Sequence, residues 1–184
     1  MICSTFLEEI TSRLNDLINR GRATGGTLTD AQLNWKPGDG LWTIGQIFSH
    51  MHIPAARYVP EMELAIENAK FGREDAEVKH TVFGSMIIKA SGPSGNTPAP
   101  KAMIPGPGSF GQEVVETFVA DHTRVIQLAE KSQSIDLIQT KIKNPFLPLF
   151  RMNMADCFEI VTCHAERHVG QIEQLMRREG FPTE

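Results

Sequence analysis

The sequence predicts an all-α fold, a four-helix bundle built as one domain across residues 1–184. Three observations predict it. Four long segments carry apolar residues at helical spacing, and no segment shows a convincing strand pattern. A stretch rich in glycine and proline separates the second segment from the third. A chain of 184 residues suffices for one hydrophobic core and is short for two.

The first helix runs from about Ser4 to Gly21, with Phe6, Leu7, Ile10, Leu14, Leu17 and Ile18 on one stripe. Residues 33–40, Leu-Asn-Trp-Lys-Pro-Gly-Asp-Gly, read as a turn. Thr43 then reads as an N-cap, and Gln46 three residues on completes a capping box. The second helix carries Ile44, Ile47, Phe48, His50 and Met51 and extends to about Ala69. Pro54 removes the N–H that the His50 carbonyl would otherwise accept, so a bend is expected there. Between Asp75 and Ala90 the pattern is mixed, with Val78, Val82, Met86 and Ile87 favouring a short helix.

Ser91 to Ser109 holds glycines at 92, 95, 106 and 108 and prolines at 93, 98, 100, 105 and 107, a density that excludes a long regular element. A loop of that length in a compact domain is uncommon and often functional, and here it is placed over a pocket or a partner surface. The third bundle helix spans about Phe110 to Lys131, with Val115, Phe118, Val119, His122, Val125, Ile126 and Ala129 inward. The fourth spans about Asn153 to Glu179 and stops at Gly180, with Pro182 beyond it.

Composition excludes several functions. The net charge of −4 and the lack of a basic cluster argue against a nucleic-acid binder. No run of apolar residues is long enough for a membrane span, and the N-terminus has no signal-peptide pattern. Three cysteines, Cys3, Cys157 and Cys163, do not make a disulfide framework. These features together suggest a cytoplasmic protein with no membrane partner.

The chemistry is concentrated in histidine. His164 and His168 are four residues apart, on one helix face and beside the apolar stripe Met154, Phe158, Val161, Ala165, Ile172 and Leu175. Two imidazoles so placed either share a metal ion or bond polar groups on a neighbouring helix, because burying them without partners is costly. His50 on the second helix is a candidate third ligand, and three histidines would leave a zinc-like ion one open position. His122 is the best alternative ligand, His52 points roughly 200° away from His50, and His80 reads as solvated. Cys157 lies about 10 Å along the helix from His164 and reads as core.

Trp35-Lys36-Pro37, then Trp42-Thr43-Ile44-Gly45-Gln46 and His50, and much later His164-x3-His168 with Gln171, resemble the DinB/YfiT-like family. Pro98-Ala99-Pro100-Lys101 fits the same pattern. The resemblance covers most of the chain. It implies an up-down-down-up bundle in which His50, His164 and His168 hold one divalent metal, zinc or nickel. It also implies a homodimer, for which Met62, Leu64, Phe71 and the long loop are candidate interface residues, and a small-molecule substrate. Thiol-dependent relatives suggest an enzyme that activates a low-molecular-weight thiol for transfer to an electrophile. A metal-dependent hydrolase and a non-catalytic metal-binding stress-response protein are the alternatives. Gln46, one turn before His50, and Gln171, about one turn after His168, are candidate supporting or substrate contacts, with a capping or surface role as the alternative for each. The carboxylates Glu159 and Glu166 should face away from His164, which favours thiol transfer over hydrolysis.

Overall fold

The computed structural model describes residues 1–73, 75–95 and 97–183. In chain order it contains α1 (Cys3–Gly25), α2 (Asp30–Leu33), α3 (Ile44–Glu67), α4 (Val82–Ser91), a 3-10 turn (Lys101–Met103), α5 (Glu113–Lys131), the strands β1 (Lys141–Lys143) and β2 (Arg151–Asn153), and α6 (Met154–Met176). The four long helices α1, α3, α5 and α6 form the bundle. Their inward stripes meet in one core, where Ile10, Leu14, Phe48, Phe118 and Phe158 are fully buried.

Residue pairs between helices fix their directions. Arg13 reaches Glu159 and Glu166, and Arg20 reaches Glu173, so α1 and α6 run parallel. Phe48 packs on Phe118 and His52 bonds Asp121, so α3 and α5 are parallel as well. Gly21 lies against Phe118 and Gly25 against Val115, which sets α1 antiparallel to α5. The bundle is therefore up-down-down-up. Two consecutive parallel helices cannot be joined by a tight turn, which is why a long connection separates α3 from α5.

That connection is more ordered than its composition implies. It carries α4, capped by the Thr81 hydroxyl at the Gly84 N–H, and the 3-10 turn that begins after Pro100. α4 packs on α6 through Asp156, whose fully buried carboxylate accepts bonds from the His80 Nδ1–H, the Thr81 N–H and the Thr81 hydroxyl. His80 is exposed, as expected, and its ring is nonetheless held by this buried anion.

Local chemistry sets the helix starts. Thr43 and Gln46 form the capping box of α3 as expected, and Asn153 with Asp156 forms the same device on α6. Thr29 and Gln32 repeat it on the short α2, one turn of helix just before the Trp35 turn. α3 continues through Pro54 and Pro60 as one helix. α1 runs four residues past the expected Gly21, and α6 stops at Met176, short of Glu179. Gly180 still adopts a left-handed φ of 83° in the turn that follows.

The antiparallel β1–β2 ribbon pairs Ile142 with Met152 and corrects the expectation of no strands. Three-residue strands are too short to show a period of two. Met62 is fully buried in the core and is unavailable as an interface residue, whereas Leu64 and Phe71 are exposed.

Candidate metal centre

α3 and α6 run antiparallel at the site, and three of their imidazoles converge. One ligand-capable nitrogen from each of His50, His164 and His168 lies within 4.8 Å of the others. His50 Nε2 and His164 Nε2 are 3.1 Å apart. All three side chains are buried. The i, i+4 spacing supplies two of them from α6, and the turn structure of α3 supplies the third.

Hydrogen bonds to the far side of two rings decide which nitrogen faces inward. The Nδ1–H of His50 donates to the Met103 carbonyl at 2.6 Å. The Nδ1–H of His168 donates to Gln171 Oε1 at 3.0 Å. A neutral imidazole that spends its proton at Nδ1 presents a lone pair at Nε2. Burial pushes the pKa of each ring down, and for His164 and His168 the neighbouring imidazoles and Arg167 add to the effect. His168 is lowered to about 3. The cluster is therefore neutral near pH 7. Three neutral nitrogen donors, with two rings oriented by outer hydrogen bonds, fit a divalent ion of the zinc type that keeps an open position.

The triad forms one end of a cavity of about 390 Å³. Its walls come from α3, α4, α6, the 97–103 segment and the residues after β1. The proline-rich segment expected to cover a pocket does so: Pro98, Pro100 and Met103 line the cavity, and the Met103 carbonyl is also the partner of His50. Trp42 packs against His50 and His168, with ring centroids 4.6 Å and 6.5 Å away. Pro54, which interrupts the helical bonding of α3, also faces this cavity.

The remaining candidates separate cleanly. Gln171 lines the cavity and accepts from the His168 ring. Gln46 does not: its Oε1 accepts the Thr43 N–H, so its polar end serves the helix start. His122, the alternative ligand, is buried, donates Nδ1–H to the Phe118 carbonyl and lies outside the triad. His52 is exposed and bonds Asp121. Cys157 and Cys163 are buried, and burial pushes both thiols up, so neither is a ready thiolate. Glu159 and Glu166 both face Arg13 on α1, away from the triad.

Arg167, Tyr58, Asn144 and Phe146 also line the cavity, and the sequence reading did not single them out. Arg167 carried a signal, since it is three residues from His164 and shares its face. The contribution of Asn144 could not be read, because it arrives from a loop far along the chain.

A family model for the DinB superfamily matches residues 13–172. Among solved structures the fold is similar to YfiT from Bacillus subtilis, described as a probable metal-dependent hydrolase with an unusual four-helix bundle topology. The two share 14% identity with a TM-score of 0.59, over 96% of this chain and 89% of that one. No curated protein matches the chain.

Proposed function

Because the chain belongs to the DinB superfamily, we propose that it is a metal-dependent enzyme acting on a small molecule, with His50, His164 and His168 as the ligands of one zinc or nickel ion. The cavity volume falls in the range of small-molecule sites. A divalent ion bound by three neutral imidazoles keeps its full charge and favours the deprotonated form of a thiol or water beside it. The chain's own part is to present three lone pairs and to hold two of the rings through the Met103 carbonyl and Gln171. Trp42 and the proline-rich segment wall the site from solvent.

We read the reaction as transfer of a low-molecular-weight thiol to an electrophile. The single observation that carries this reading is the wall chemistry: no Asp or Glu lines the cavity among the described residues. Even where a metal lowers the pKa of bound water, hydrolytic sites ordinarily place a carboxylate or similar group to move protons to and from the reacting atoms. A thiol has a pKa near 8.5 and needs no such base. The sulfur would bond the electrophilic atom while the leaving group departs with its electron pair. Metal-assisted hydrolysis is the second reading, favoured by the activity described for YfiT.

The test begins with elemental analysis of tag-free wild type and His50→Ala. One equivalent of metal per chain, lost in the variant, is expected. Cobalt-substituted protein should then change its visible spectrum when 2-mercaptoethanol is added. A spectrum indifferent to thiols, together with turnover of an activated ester, would overturn the transferase reading in favour of hydrolysis. A wild type that takes up no metal would remove both.

A further inference from the structure

Among the described residues, Arg167 is the one formally charged residue in the cavity wall. It is half-buried and makes no salt bridge among the described residues, while the neighbouring Glu166 is committed to Arg13. Its bond to protein runs from Nη1–H to the Ala90 carbonyl at 3.3 Å, near the C-terminal end of α4. A guanidinium has five N–H donors in a planar fork, so most of its capacity is unspent. On α6 it lies three residues after His164 and next to His168, so it stands beside the triad.

Beyond this end the cavity wall is mainly apolar, and the Asn144 amide there is bonded to the Tyr58 hydroxyl. Pro54, Tyr58, Ile87, Phe146, Leu147 and Ile160 form its walls there. His50 and Tyr58 both face it from α3, eight residues apart, which corresponds to about 12 Å along the helix. The cavity is therefore elongated, with a cationic head and a greasy body.

We propose that Arg167 is a specificity-determining residue that binds the carboxylate of a small monoanionic substrate whose apolar body lies toward Tyr58 and Phe146. A single planar guanidinium matches one carboxylate in bidentate fashion. Apart from a metal ion at the triad, no second cation faces the cavity, since no lysine lines the wall among the described residues, and one guanidinium matches a monoanion. The inference rests on the cavity being the small-molecule site proposed above, but not on the identity of the metal or the reaction.

The probes are 3-phenylpropanoate and 3-phenylpropanamide, which share an apolar body and differ in charge. Isothermal titration would measure both against zinc-loaded and chelator-treated wild type, Arg167→Gln and Arg167→Lys. In chelator-treated wild type the carboxylate is expected to bind about tenfold or more tightly than the amide. Arg167→Gln should bring that ratio near one with little change in amide affinity, and Arg167→Lys should restore part of it. A purely structural role at Ala90 would alter both affinities together and leave the ratio alone. Equal binding of the two probes by wild type, or a preference that survives Arg167→Gln, overturns the proposal. A preference present only with zinc and indifferent to residue 167 would assign the anion to the metal, leaving the metal reading intact. An Arg167-dependent preference in protein that never takes up metal would do the reverse.

Discussion

Gln46 and Gln171 look equivalent on paper, each about one turn from a histidine, yet their surroundings separate them. Gln171 accepts from His168 and lines the cavity, whereas Gln46 closes the N-terminus of α3. Gln171→Ala should weaken zinc affinity roughly 10–100-fold by releasing the ring of His168. Gln46→Ala should leave that affinity unchanged and lower stability by about 1 kcal/mol or less. Competition with a chromophoric chelator and urea melts would read the two effects. A different residue-scale prediction concerns Asp156. Burial pushes its pKa up, but bonds from His80, the Asn153 N–H and Thr81 outweigh that and hold it below the ordinary carboxylate value. A depressed folded-state pKa stabilises fully above the unfolded value near 4 and is lost as pH falls through the folded pKa. Asp156→Asn should therefore cost roughly 2–4 kcal/mol at neutral pH. It should also flatten the acid limb of the stability profile below about pH 4, as urea melts against pH would show.

At the level of elements, the cavity depends on α4 being docked against α6. Ile87, Ala90 and Ser91 of α4 are wall residues, and Gly84 lies directly against Asp156 of α6. A Cβ at Gly84 would occupy the space of the Asp156 carboxylate. Gly84→Ala gains up to about 1 kcal/mol of helix propensity but must displace α4 or the anion. The expected net result is a loss of roughly 1–2 kcal/mol in urea melts, with weaker binding of 3-phenylpropanoate. A stabilised variant with unchanged binding would show that α4 tolerates the shift. The same helix explains why Asp75 to Ala90 read poorly in sequence: its apolar Val82 and Met86 are exposed, and its one buried residue, Gly84, has no side chain and is set by contact with α6.

Across the whole molecule, the candidate ligands tie α3 to α6 through histidines more than a hundred positions apart in the chain. An ion bound there and not by the unfolded chain stabilises by mass action. Zinc at 100 times its dissociation constant should add about 2.7 kcal/mol, which for a chain of this size raises Tm by roughly 5–10 °C. The shift should vanish in His50→Ala and in His168→Ala. Both variants should stay folded without metal, because the core formed by Ile10, Leu14, Phe48, Phe118 and Phe158 does not involve the triad. Calorimetric scans with and without zinc would decide the matter, and a variant that unfolds on losing the metal would contradict it.

Local, periodic features were legible in the chain itself. The stripes of α1, α3, α5 and α6, the capping box at Thr43 and the shared face of His164 and His168 follow from helix geometry, in which neighbours in space are neighbours three or four residues away. The parallel pairing of α3 with α5 and the meeting of His50 with the α6 histidines depended on how separate stripes pack, which no local period encodes. The tertiary structure alone placed His80 on Asp156, the Met103 carbonyl behind His50, and Arg167 in a wall shared with Asn144 and Phe146. Each of these contacts joins residues far apart in sequence, and its partner is chosen by the close packing of the whole bundle rather than by the residues on either side.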